Sequence, residues 1–195
     1  MPLILRSVNL PGRGPDGRPG PRVPAPGPVT VGLSGIGEGD LSARDDRALH
    51  LDDPARQPLA HALYAYPTVH HPVWRTMQAQ AGVISFADAE QPLPPGSFDE
   101  DLALEGVEES QLWLGDRLRF PACEFVVSGP RLPDERFNET LGFAHACRLV
   151  AQSRWCGFWL AVGRTGTIAA GQAFELVPGP RDTGLVEMFR DLTGG

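Results

Sequence analysis

The sequence predicts a mostly β, α+β domain: a small β-barrel or sandwich carrying peripheral helices. Three observations carry that expectation. Glycine and proline number 23 and 20 of 195 residues, roughly double the ~12% of ordinary usage, which favours turns and short strands over a helical bundle. Short apolar runs recur between turn signals. Few segments show helical spacing or helix-start chemistry. Hydrophobic residues at 42% and charged residues at 21% supply enough apolar surface for one core.

Taken in order, residues 3–10 (LILRSVNL) read as a strand. From Pro11 to Pro28 there are seven prolines and five glycines, so this 11–28 stretch is expected to be an extended or disordered loop. Within it, Gly12-Arg13-Gly14-Pro15-Asp16-Gly17 fits GxGxxG formally. A dinucleotide fingerprint needs a strand before it and a helix opening in it, and proline-rich sequence supplies neither. Residues 29–33 form the next strand, followed by a turn-rich 34–40 and a charged, irregular 41–60. Pro67 to Gly82 reads as a turn leading into a helix, with Pro72 at its first position. Asp99-Glu100-Asp101 reads as a solvated charge run. Residues 112–114, 117–120 and 123–127 read as strands separated at Gly115-Asp116 and Pro121. Residues 137–151 carry one apolar helix face through Phe137, Leu141, Ala144, Cys147 and Val150. Residues 156–162 and 173–177 are strands joined by a Gly166–Gly171 loop, and 185–192 form a short amphipathic helix. The expected organisation is one domain over 1–180 and a helical tail over 181–195.

Composition excludes several chemistries. All 17 basic residues are arginine and none is lysine, which rules out a P-loop lysine, a Schiff base and a lysine general base. A formal net charge of −7 argues against nucleic-acid or anionic-membrane partners. No run approaches a membrane span, and the start, Met1 to Arg6, lacks a leader's basic-then-apolar pattern. Three cysteines are too few for a disulfide framework or a four-cysteine zinc site. A cytoplasmic protein with reduced thiols is expected.

Several segments, in order, resemble the MOSC domain, the family related to the C-terminal part of molybdenum-cofactor sulfurase and to small YiiM-type bacterial proteins. Ser7-Val8-Asn9 opens the series, and Gly35 to Asp40 is similar to a G-x-x-G-D turn. Ala62-Leu63-Tyr64-Ala65-Tyr66-Pro67 with His70 and Trp74 is close to A-x-Y-x-Y-P-x-x-H-x-x-x-W. Phe98 to Leu102 with Glu105-Gly106 resembles F-G-E-N-L-x-x-x-G. Gly129 to Asn138 stands where the family has Q-P-R-x-P-C-x-K-L-N, and 153–162 with 166–171 resemble its closing elements. The resemblance covers about 4–178 and implies a MOSC-type β-barrel with peripheral helices.

The departures bear on chemistry. The family's reactive cysteine falls on Asp134, its H-G-G-P-D segment is lost near 46–62, and its late-strand arginine becomes Ala161. A thiolate carries persulfide sulfur or binds molybdenum; an aspartate does neither sulfur step but remains a hard-metal ligand. Asp134 is therefore open to three readings: a cap on the following helix, a molybdenum ligand, or a catalytic acid/base. Arg131 and Arg136 suit a phosphate or carboxylate, or pair with the acids around 99–109. Asn138 either bonds a ligand or begins the helix. Glu100, which keeps the family identity, is counted with Arg131, Arg136 and Asn138 as cofactor-binding by resemblance. His70 reads as a structural histidine. Cys156 is the one thiol considered as a relocated nucleophile, against a packing role. The resemblance thus implies a degenerate MOSC protein that binds a molybdenum-pterin cofactor or another anionic phosphorylated ligand without cysteine sulfur transfer. The alternatives are a non-catalytic accessory or protein-interaction subunit, and an enzyme with a remodelled pocket using Asp134 as acid/base.

Overall fold

The computed structural model describes residues 2–13, 19–36 and 57–194. Its centre is a buried strand, β5 (Leu63–Pro67), flanked by β9 (Phe158–Arg164) on one side and β6 (Leu102–Glu105) on the other. The β5–β9 pair is antiparallel, with Tyr64 opposite Trp159; the β5–β6 pair is parallel, with Ala65 opposite Leu102. Successive side chains of a strand point to opposite faces, and β5 separates two cores on that rule. Leu63 and Ala65 join an aliphatic cluster with Leu104, Phe125, Val127, Phe158 and Leu160. Tyr64 and Tyr66 join an aromatic cluster with Trp74, Phe98, Phe137 and Phe189.

The sheet continues outward on both sides. Next to β9 lies β8 (Glu124–Pro130), with Val127 opposite Leu160, then β7 (Arg117–Arg119) and β11 (Glu175–Val177). Next to β6 lie β1 (Ile4–Arg13) and β2 (Pro19–Pro24). A second sheet holds β3 (Val29–Gly32), β4 (Gly35–Ile36) and β10 (Gly166–Ile168). The helices are α1 (Gln57–Ala60), α2 (His71–Gln80), α3 (Arg136–Leu141), α4 (Ala146–Ser153) and α5 (Leu185–Thr193). The result is mixed α+β and largely sheet. None of the helices among the described residues is long and apolar enough to cross a membrane.

The barrel is not closed by a continuous ladder. Residues 171–174 do reach β1, through Leu5 N–H to Gln172 O at 2.9 Å, Gly171 N–H to Leu5 O at 2.7 Å and Phe174 N–H to Leu3 O at 3.1 Å. These bonds draw β1 toward the segment that leads into β11, while the eight-stranded ladder itself ends at β11 and β2.

Several expected elements take another form. Part of the 11–28 stretch is not a loop: β1 and β2 form a hairpin, with Leu10 opposite Val23 and Gly12 opposite Gly20. Prolines are accommodated because, among the described residues, β2 is an edge strand with no second partner to receive an N–H. Gly14 to Gly17 of the GxGxxG match lie outside the described residues, as do the family matches within 37–56. Residues 112–114 make only an isolated bridge, Trp113 to Gly184. The 166–171 loop contains β10, paired with β3. The single helix over 137–151 is broken at Gly142, whose φ of 79° ends α3. Residues 99–101 are not a solvated run, because Glu100 has no exposure at all.

Two buried features fix the aromatic core. Glu109 accepts from Gly157 N–H at 2.9 Å and meets His70 Nε2 at 2.7 Å. Gly157 has φ of 64°, and a Cβ there would lie 2.5 Å from Ala65 O and 2.7 Å from the Tyr64 ring. His71 stacks on Tyr66 and Phe98, with centroids at 6.0 and 5.6 Å. Burial, and then His70, lower the His71 pKa from 6.5 to about 4.

Gly157→Ala is expected to cost at least ~2 kcal/mol in urea unfolding, from left-handed strain and collision with backbone. The His71 shift sets a pH dependence. Between pH 6.5 and about 4 the unfolded chain binds a proton that the native state does not. This contribution is whole above the upper value and is lost as pH falls through the window. His71→Phe should therefore remove ~2–3 kcal/mol of the stability lost on going from pH 7 to pH 4, read as the difference between the two proteins' profiles.

Candidate functional site

The end of β8 delivers Arg131 to a cavity of about 410 Å3, also lined by His61, Ser128, Asp134, Trp159 and Leu192. Arg131 is 6% exposed. Its guanidinium carbon lies 4.6 Å from the Tyr64 ring centroid and 4.4 Å from that of Phe137, so the cation is held between two aromatic faces. Nη1 donates to Phe98 O at 3.0 Å. Nη2 sits 3.6 Å from Asp134 Oδ1. One wall of the cavity is a stack of His61 on Trp159, 4.9 Å between centroids and 24° between planes. Partial burial lowers the His61 pKa, which favours the neutral ring at this wall.

Asp134 does at the helix start what a cap does. Its Oδ1 accepts from Arg136 N–H at 3.0 Å, and its main-chain oxygen accepts from Phe137 N–H at 3.1 Å. The side chain is half-exposed, so an oxygen remains open to solvent beside the cavity.

The other candidates do not meet at this point. Arg136, the first residue of α3, lines a separate polar groove with Arg22, Asp99 and Glu139. Arg131 and Arg136 therefore form no common clamp. Asn138 turns to the protein: its Oδ1 accepts from Cys147 N–H at 2.9 Å and satisfies the start of α4. Glu100 lines neither cavity and accepts from Gly96 N–H at 2.7 Å and Phe98 N–H at 2.8 Å. The acids of 99–101 pair instead with Arg22, at 3.0 Å to Asp99 and 2.6 Å to Asp101.

None of the cysteines lines the Arg131 cavity. Cys156 is fully buried and its thiol donates to Gly157 O at 3.2 Å; burial and then Glu109 push its pKa well up, which removes it as a nucleophile. Burial likewise lifts Cys123 to about 11. Partial burial, then Asp134 and Glu135, raise the Cys147 thiol. His70 is the structural partner of Glu109 described above. Among the described residues, no group of three or more His, Cys, Asp or Glu is placed to hold a metal.

The His61–Trp159 wall was not read from sequence. Its only signal is the β5–β9 register, which sets Tyr64 opposite Trp159 and brings the residues just before β5 beside that ring. Asp134→Ala is expected to cost about 1 kcal/mol in denaturant unfolding and Asp134→Asn a fraction of that, since the amide oxygen still caps the helix.

The comparisons with known proteins agree with this frame. The YflK protein of Bacillus subtilis strain 168, itself uncharacterised, is 27% identical over 116 residues, 60% of this chain and 48% of that protein. Protein YiiM of Escherichia coli K12 matches at the same identity over the same shares. The chain thus matches about half the length of these curated relatives. The crystal structure of YiiM from Geobacillus stearothermophilus superposes with a TM-score of 0.71 at 21% identity, covering 98% of this chain and 84% of that one. A profile of the MOSC domain matches residues 46–175, two thirds of the sequence, and the chain belongs to the MOSC-domain family.

Proposed function

We propose that the Arg131 cavity binds a planar anionic ligand of the phosphorylated-pterin class, and that this position transfers no sulfur. The observation that supports the reading is the state of Arg131. A guanidinium has five N–H donors; the Phe98 carbonyl takes one at close range and Asp134 a second more loosely. The cation is already desolvated and oriented by two rings, which lowers the ordering cost of binding a phosphate. The His61–Trp159 stack offers a flat apolar wall for a fused ring.

The molybdenum-pterin group associated with MOSC domains fits this chemistry in its organic part: Arg131 would hold the phosphate and the His61–Trp159 wall the pterin. Molybdenum would supply oxo or sulfido redox chemistry when bound. From this chain it finds one half-exposed carboxylate, Asp134, a hard oxygen donor with no capacity to carry persulfide. On this reading the curled sheet is the family's barrel, open between β1 and β11, and the protein works in the cytoplasm with its thiols reduced. A second reading, an accessory subunit that docks a protein partner, is favoured by the exposure of Leu132 and Leu192 at the cavity rim, 44% and 53%.

The test is a fluorescence titration with a pterin monophosphate. Wild type is expected to bind saturably and His61→Ala more weakly. Asp134→Asn should bind about 3–10-fold tighter, because a competing negative charge beside the guanidinium is gone. Binding that is unsaturable, or indifferent to both substitutions, overturns the ligand site and leaves the docking reading. Weaker binding by Asp134→Asn, with stoichiometric molybdenum in wild type purified from a host that makes the cofactor, would instead make Asp134 a metal ligand.

A further inference from the structure

A second cavity, about 470 Å3, lies between α2, the turn at Asp88–Glu90 and the β1–β6 part of the sheet. It shares no lining residue with the Arg131 cavity. Its walls are largely apolar, with Pro72, Leu93 and Ala103 among them. Ser7 and His71 also line it. Ser7 pairs with Ala103 across β1–β6, and Ala103 with Tyr66 across β6–β5, so these three residues form one row across the sheet. His71 stacks on the ring of Tyr66 at the end of that row.

Among the described residues, three buried side-chain polar atoms have no hydrogen-bond partner: Ser7 Oγ, His71 Nε2 and Asn9 Oδ1. Two belong to residues that line this cavity, and the third stands two positions along the same face of β1. Ser7 itself is only 5% exposed. Burying a hydroxyl and a ring nitrogen unpaired is costly, and native structures rarely keep such groups without a ligand or water to satisfy them.

The four charged side chains at this cavity, Arg6, Arg75, Glu90 and Glu105, carry no net charge. Arg6 is paired with Glu105, and Arg75 donates to the main-chain oxygens of Asp88 and Gln91. His71 is uncharged at neutral pH because burial depresses its pKa. The unused polar capacity is therefore neutral, one hydroxyl and one imidazole nitrogen against an apolar wall. An anion finds no net positive charge there, with Glu90 and Glu105 offsetting Arg75 and Arg6, and a purely aliphatic ligand leaves both polar atoms unsatisfied.

We propose that this cavity is a second binding site, for a small uncharged ring compound carrying a carboxamide-type donor–acceptor pair. Ser7 O–H donates to the carbonyl of such a group, and His71 Nε2 accepts from its N–H. The volume falls within the range of small-molecule sites.

Benzamide is the probe, followed by amide shifts in 15N-labelled full chain, with saturating inorganic phosphate present to keep the Arg131 cavity out of play. Saturable shifts at Ser7, His71 and Leu93 are expected, with benzoate binding at least ~10-fold more weakly because it brings charge and no donor. Ser7→Ala and His71→Phe should each weaken benzamide about tenfold. At pH 7.5 neither should lower Tm, since each removes an unpaired polar atom, and the phenyl ring keeps the stack on Tyr66. Three results overturn the site. One is the absence of saturable benzamide shifts in wild type. Another is equal binding of benzoate. The last is a Tm loss of several degrees in Ser7→Ala, which would mean that the hydroxyl is held by an internal water as part of the fold.

Discussion

The placement of the Arg131 cation depends on a buried acid, Glu100. Its carboxylate has no exposure, and main-chain N–H groups of Gly96 and Phe98 converge on it with the side-chain amide of Asn9. Burial pushes its pKa up, and the hydrogen bonds from Phe98 and Gly96 oppose that push. The consequence is geometric. Holding the Phe98 N–H fixes the turn that lays the Phe98 ring on Tyr66, with centroids 3.8 Å apart and planes 9° apart. The same turn aims the Phe98 carbonyl at Arg131. On either side of Glu100, Asp99 and Asp101 are tied to Arg22 on β2, and Asp101 also accepts from Tyr64 N–H at 2.7 Å. Three consecutive acids thus join a hairpin, a turn and the central strand.

Glu109 plays a matching part on the other side of the aromatic cluster. It joins the start of α2, through His70, to the turn before β9, through Gly157. Tyr64 and Tyr66 donate their hydroxyls to main-chain oxygens of Cys156 and Trp155, so the same turn is held by three side chains. A buried polar group must find partners, and here the partners lie on different elements. Each satisfied acid therefore fixes a tertiary distance. Of the two rings that hold Arg131, Tyr64 is fixed by its hydroxyl and Phe137 by burial in the aromatic cluster.

Sequence reasoning reached what period and punctuation encode. The strands at β3, β7 and β8 and the helix α2 follow from apolar runs bounded by turn residues, with Pro72 in the first turn of α2. It missed what neighbours decide. The β1–β2 hairpin is hidden by proline, whose cost in a strand depends on whether an edge is free. The four-residue β6, LALE, is masked by flanking acids that turn out to be paired or buried. The break at Gly142 interrupts an apolar periodicity that continues through it, so only the backbone reveals it. At the site, Arg131 and Asp134 were legible as neighbours three residues apart. The expected partnership of Arg131 with Arg136 fails because the chain turns into α3 between them and presents the second arginine to another groove. Glu100 was assigned to a ligand by its family position, yet its partners are two main-chain N–H groups and the distant Asn9 amide, which no sequence motif displays.

Asp134 serves the frame and the cavity at once. A carboxylate oxygen caps α3 through Arg136 N–H, and α3 in turn carries Phe137 onto Arg131. The side chain thus supports the local structure through its cap. Its charge also acts on two neighbours. The carboxylate sits 3.6 Å from the guanidinium and offsets part of its pull on an anion. After partial burial, it is also a cause of the raised pKa of the Cys147 thiol on α4. On the reading proposed above, the side chain that caps α3 also tempers the cation beside it, while the aromatic clamp on Arg131 is left intact.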